Sequence, residues 1–160
     1  MNRIYGVGDT QSLQIWIDFL TGAIPIYFVD DDSVVSINFG RNPNIKSLHL
    51  TNIHVGAMPG AEMADLKWLM HFLSDIGESS RVEEIKLDAD ILHNTVDWSP
   101  WEGVDHILTG TNFQSLRKVD IELSFSMIGL FHPNWFHASC RDLAASLPLL
   151  QARGILGHVN

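Results

Sequence analysis

One cysteine, Cys140, stands among the 160 residues, so no intrachain disulfide can form and packing has to hold the fold. That scarcity fits a reducing compartment. Positive charge is also short: 10 Lys and Arg against 19 Asp and Glu leave a formal net charge of −9. Binding phosphate-rich surfaces takes clustered Lys and Arg, and the only adjacent basic pair is Arg117-Lys118. The charge balance argues against a general binder of nucleic acid or anionic membrane. Uninterrupted apolar runs of the ~18 residues a membrane helix needs are missing. The segment Met1-Asn2-Arg3-Ile4-Tyr5-Gly6 lacks the charged region and long apolar run of a signal peptide. The expectation is a soluble intracellular chain, in the cytoplasm or nucleus. With 46% hydrophobic and 18% charged residues, it should form one globular domain over residues 1–160.

What the chain does have is recurrence. Ile45-Lys46-Ser47-Leu48-His49-Leu50, Val82-Glu83-Glu84-Ile85-Lys86-Leu87 and Leu116-Arg117-Lys118-Val119-Asp120-Ile121 each carry apolar residues in the pattern L-x-x-L-x-L. A weaker copy is Leu13-Gln14-Ile15-Trp16-Ile17. The steps from Leu13 to Leu48, Leu48 to Ile85 and Ile85 to Val119 are 35, 37 and 34 residues. A period in this range marks a repeat architecture, which binds through an extended face more often than it catalyses.

Alternation predicts strands near 12–18, 46–51, 83–88 and 117–123. Weaker strand character lies at 26–29 and 34–39. Met63, Leu66, Leu69, Met70, Leu73 and Ile76 fall at helical spacing, with Gly77 as a stop. Ser99-Pro100-Trp101-Glu102 reads as a helix start with a capping box, closed by Gly110. A last helix is expected near 138–147, stopped or kinked by Pro148, and the apolar residues 149–156 should cap the open end of the core. Strands separated by helical returns stack in parallel. The predicted class is therefore α/β, a short solenoid of about four parallel strands with helical returns. Leu13, Ile15, Leu48, Leu50, Ile85, Leu87, Val119 and Ile121 should face the core. The two-residue period then puts Trp16, His49, Thr51, Lys86, Asp88, Asp120 and Glu122 on the opposite, solvent-facing side as one band.

These residues resemble leucine-rich repeats. The pattern L-x-x-L-x-L-x-x-N-x-L is met by Ile45, Leu48, Leu50, Ile53 and Val55, and by Val82, Ile85, Leu87, Asp90 and Leu92. The usual ladder Asn is replaced by Asp18, Ile53, Asp90 and Ser124. The long period is similar to the subclass with helical returns. Ile45–Val55, Phe113–Leu123 and the segment Leu147–Leu156 further resemble the C-terminal region of F-box/leucine-rich-repeat-like proteins of mushroom-forming fungi. The resemblance implies a target-recognition region of a ubiquitin ligase receptor. In that family an N-terminal F-box docks a Skp-type adaptor. The first repeat strand here begins near residue 12, which leaves no room for that motif, so the adaptor is not expected to bind.

Other constellations read as structural. His132, His137 and Cys140 have the ligand types for zinc, but no fourth ligand is evident and the spacing fits no finger pattern. No metal or cofactor is expected. Gly6-Val7-Gly8, Gly56 and Gly60 make no phosphate loop and read as turns. Asp30-Asp31-Asp32 lacks the rest of a calcium loop and reads as a solvated acidic loop. No G-x-S-x-G elbow is present, and no catalytic residue is assigned. Among five tryptophans, Trp68 and Trp101 suit the core, and Trp98 and Trp135 suit lids. Trp16 alternates away from its apolar neighbours, as a binding anchor would.

The expected function is a non-catalytic protein-interaction module whose partner protein lies along the band. The alternative is a small intracellular hydrolase with a site in the loops after the strands, where Asp90, His54 and His93 would converge. A third reading is a fragment without an independent role, prone to self-association through a strand edge.

Overall fold

Alternating apolar residues fix the strands, and the helical stretches between them set their direction. The computed structural model describes residues 4–9, 12–18, 28–30, 33–35, 45–55, 64–76, 80–91, 96–125 and 133–160. The elements run β1 (Ile4–Asp9), β2 (Ser12–Asp18), β3 (Phe28–Asp30), β4 (Ser33–Val35), β5 (Ile45–Val55), α1 (Ala64–Ser74), β6 (Glu84–Ile91), α2 (Trp101–Leu108), β7 (Lys118–Phe125), α3 (Pro133–Ala145), α4 (Pro148–Ala152) and β8 (Leu156–Val159). Six strands form one sheet in the order β1-β2-β5-β6-β7-β8. All neighbours from β2 to β8 pair in parallel, and β1 pairs antiparallel with β2. β3 and β4 make a separate two-stranded sheet.

The α/β class and the parallel sheet agree with the sequence reading, with two strands more than the four expected in the main sheet. Gly6-Val7-Gly8 lies within β1 instead of a turn. It is held there by pairing with Gln14, Ile15 and Leu13, because glycine tolerates extended backbone when a partner strand supplies the hydrogen bonds. β8 is the other addition, and it comes from the segment read as an apolar cap.

The apolar rows meet across the strands. Leu48 pairs with Ile85 and Ile85 with Val119; Leu50 pairs with Leu87 and Leu87 with Ile121. All six are buried, together with Leu66, Leu69, Leu73 and Ile76 from the α1 segment, Trp101, Val104 and Leu108 of α2, and Leu143, Leu147 and Leu150. One cluster therefore lies on one face of β5–β7. β5 carries one residue more than β6 beyond Leu50: Leu50 faces Leu87 and Ile53 faces Ala89, so Thr51 and Asn52 oppose Asp88 alone. This bulge keeps Ile53 and Val55 in the core although the strict alternation fails there.

The start of α2 differs from the sequence reading. Pro100 occupies the cap position and no side chain caps the helix. Both the backbone N–H and the side chain of Ser99 engage the Asp97 carboxylate, which turns the hydroxyl away from the helix and tightens the preceding turn. α3 begins five residues earlier than expected, at Pro133, and Pro148 opens α4. α4 ends in a Schellman motif: Gly154, at φ 68°, donates its N–H to the carbonyl of Gln151, and Ile155 donates to that of Leu150. That turn returns the chain onto the edge of β7. Trp101 is in the core as expected, and Trp98 and Trp135 pack half-buried against it. Trp68's side chain, Met63, Gly77, Gly56 and Gly60 lie outside the described residues. Among the described residues, no helix is long and apolar enough to cross a membrane.

Candidate functional site: the polar face of the sheet

Strands buried on one face expose the alternate residues on the other. Along β6 these are Glu84, Lys86, Asp88 and Asp90; along β7 they are Lys118, Asp120, Glu122 and Ser124. The register sets them in rows. Trp16, His49, Lys86 and Asp120 form one row across β2, β5, β6 and β7. Asp88 pairs with Glu122, beside Thr51 in the bulge, and His54, Asp90 and Ser124 form the row at the carboxyl ends. All seven expected band residues thus belong to one face of the sheet. Trp16 is placed by its backbone, and its exposure lies outside the described features.

The face is less open than the sequence suggested. His49, expected to be exposed, is only 7% exposed. Its Nε2–H donates to Asp88 Oδ2 at 2.6 Å, which satisfies a polar group that burial would otherwise penalise. Lys86 Nζ lies 2.7 Å from Glu122 Oε2 and 3.3 Å from Asp88 Oδ1. One ammonium thus spans two carboxylates on neighbouring strands. The hydrogen bond to Glu122 raises the Lys86 pKa, and the same bond lowers that of Glu122.

Asp120 has a structural task. Lys118 Nζ reaches its Oδ2 at 2.6 Å, and the backbone N–H of His158 donates to its Oδ1 at 3.0 Å. β8 is bulged at this point: Val119 pairs with Leu156 but Ile121 with Val159, leaving Gly157 and His158 opposite Asp120. Any side chain at Gly157 would run into the Asp120 carboxylate, so glycine is what lets the carboxylate reach the edge strand. Desolvation pushes the Asp120 pKa up, but the bonds from Lys118 and His158 outweigh it, and the net shift is downward.

The carboxyl-end row holds Asp90 and His54, two of the three groups named for the hydrolase alternative, with Ser124 beside them. Ser124 Oγ–H donates to Asp90 Oδ1, and His54 faces Asp90 from β5. Desolvation raises the Asp90 pKa, His54 opposes that rise and Asp88 adds to it. Asp90 stands between the serine and the imidazole, two strand spacings apart, or roughly 10 Å. Histidine is therefore not placed to take the serine proton directly, as acyl transfer requires. His93 lies outside the described residues.

Ser47, His49, Glu84, Ile85, Lys86, Lys118 and Asp120 line a depression of about 210 Å³ on this face. Among the described residues, no group of three or more His, Cys, Asp and Glu is arranged to hold a metal ion. His137 is exposed on α3 and Cys140 half-buried, its thiol pKa raised by burial; His132 lies outside the described residues. The ion-pair network was missed in the sequence because its members come from three repeats, although the 35-residue period aligns them. Comparison with protein-family models, with curated proteins and with solved structures found no match.

Proposed function

We propose that the chain is a non-catalytic protein-interaction module, built as a short leucine-rich-repeat-like solenoid, that binds a partner protein along the polar face of β5–β7. The observation that carries this reading is the register: polar residues of successive repeats fall into rows on one face, and those of β6 and β7 reach solvent. Chain-ordered parallel strands, with core helices between them, support the solenoid. One feature departs from the repeat pattern. Asp90 and Ser124, at the ladder positions, lie on the polar face because β6 and β7 alternate through to their ends. A target-recognition role in an F-box-type ubiquitin ligase receptor, in the cytoplasm or nucleus, is the form of this function that the resemblance suggests.

The test is capture of partners from cell lysate by the full chain and by the triple variant Glu84→Ala, Lys86→Ala, Glu122→Ala. These residues reach solvent, whereas Asp88 and Asp120 also hold His49 and β8. Surface changes of this kind cost about 0.5 kcal/mol or less each. A partner retained by the parent chain and lost by the folded variant is expected; equal capture by both sinks the reading.

A second reading, a small hydrolase with a site at the carboxyl ends of the strands, draws on Asp90 and His54 and on the Ser124 hydroxyl that donates to Asp90, the carboxylate and not the imidazole then being the serine's proton acceptor. Fluorophosphonate labelling of Ser124, absent in Asp90→Asn, would favour it over the interaction module.

A further inference from the structure

We propose that the outer edge of β7 is a strand-accepting site that the chain's own β8 occupies reversibly, and that β8 of a second copy takes the same place when two chains exchange residues 155–160. This contact is separate from partner binding on the polar face.

β8 is held lightly. It meets β7 through two register pairs, Val119 with Leu156 and Ile121 with Val159, whereas β6 and β7 pair along their whole length. Leu156 and Val159 are only half-buried, and Gly157 and His158 are exposed. Between β8 and α3 lies an open groove of about 480 Å³, lined among others by Cys140, Ala144, Leu156 and Val159, so α3 does not clamp the strand down. Few buried apolar contacts and solvent-exposed backbone bonds place a segment among the first to open locally. α4, which precedes β8, is anchored by contrast: Leu150 is fully buried, and Asp105 accepts the N–H groups of Leu149 and Leu150. Opening therefore stops at α4, and residues 153–155 are the hinge. Gly154 at its centre, at φ 68°, holds the closed turn without steric cost and extends as readily.

The vacated edge has definite requirements. The N–H groups of Val119 and Leu123 donate to the carbonyls of Ile155 and Asn160, and the Ile121 carbonyl accepts from the Asn160 N–H. The Asp120 carboxylate, held by Lys118, accepts the His158 N–H, and a Cβ at position 157 would collide with it. The edge thus takes an extended segment of the form apolar-Gly-x-apolar, with main-chain bonds giving affinity and the glycine giving selection. β8 of a second copy meets each requirement, since it carries the same Leu156-Gly157-His158-Val159. Exchange of identical strands keeps every β7–β8 contact, so only the hinge and the cost of association separate monomer from dimer, and concentration shifts the balance. Both β7 edges are refilled, which closes the assembly at two chains.

The experiment is light scattering of the full chain after incubation at rising concentration, up to millimolar. A dimer fraction that grows with concentration is expected. Gly154→Val should raise it about tenfold at equal concentration, because a β-branched residue strains the closed turn at positive φ but not the extended hinge. The peptide Gly-Ile-Leu-Gly-His-Val-Asn, a copy of residues 154–160, should return the dimer to monomer by filling the edge, and the same peptide carrying Gly157→Val should not. Hydrogen exchange adds a reading that needs no variant: the amides of Val119 and Leu123 should exchange at least about tenfold faster than those of Ile85 and Leu87 in β6. Equal protection of the two sets overturns the proposal, as does a chain that stays monomeric throughout together with its Gly154→Val variant. A dimer that the peptide leaves intact, or that both peptides dissolve alike, is held elsewhere and overturns it too.

Discussion

The Asp105 side chain is 1% exposed, and both its oxygens accept backbone N–H groups of α4. Leu149 donates to Oδ2 at 2.8 Å and Leu150 to Oδ1 at 2.9 Å, across 44 and 45 residues of chain. α4 has no cap of its own, and Pro148 contributes no N–H. A buried carboxylate from α2 therefore caps a helix it does not belong to, pairing two N–H groups that the first turn leaves without an intrahelical partner. Asp105→Ala should cost about 2–3 kcal/mol in urea unfolding, with Asp105→Asn losing less because its carbonyl still accepts one bond. An unchanged midpoint for the alanine variant would show that the cap contributes nothing.

Two aspartates in adjacent strands respond oppositely to pH. The folded pKa of Asp120 is depressed, so its contribution to stability is present above the unfolded value and lost as pH falls through the folded one. The folded pKa of Asp90 is raised, so its ionisation penalises the fold at neutral pH, and the penalty is relieved on acidification. At pH 7, Asp120→Asn should lower stability and Asp90→Asn should raise it, each by on the order of 1 kcal/mol or less. Both differences should fade as pH drops toward about 4 and below. Thermal melts across pH 3–8 check this, and a pH-independent difference for either variant would reject the assignment. The two carboxylates also differ in what they hold: Asp120 binds Lys118 and the edge strand, while Asp90 accepts the Ser124 hydroxyl.

At the scale of the whole molecule, residues 148–160 complete the core with Leu150 and cover the edge of β7 with β8. β8 is itself a short strand, bulged at Gly157 and His158 with Asp120 filling the bulge, features that blunt an edge against further pairing. A chain ending at Leu147 should lose at least about 3 kcal/mol, as expected for removing a buried leucine with its capped turn. It should also gain mass with concentration by light scattering, because the edge of β7 is then bare. A stable monomeric truncation would show that β8 is dispensable.

The sequence by itself determined the four repeat strands, their parallel stacking, the core rows Leu48, Ile85, Val119 and Leu50, Leu87, Ile121, and the opposite polar face, because two-residue alternation and a fixed period are local properties. It did not reveal β1 and β8, whose short segments with Gly6, Gly8 and Gly157 become strands only by pairing with neighbours already in place. Tertiary structure alone decided the partners of the charged residues. His49 looked exposed until Asp88, 39 positions away, took its proton-bearing nitrogen, and Asp120 looked free until the chain returned to lay His158 against it. Hydrogen bonds and ion pairs act over a few ångströms of space, and only the register of the folded sheet brings residues so distant in sequence within that range.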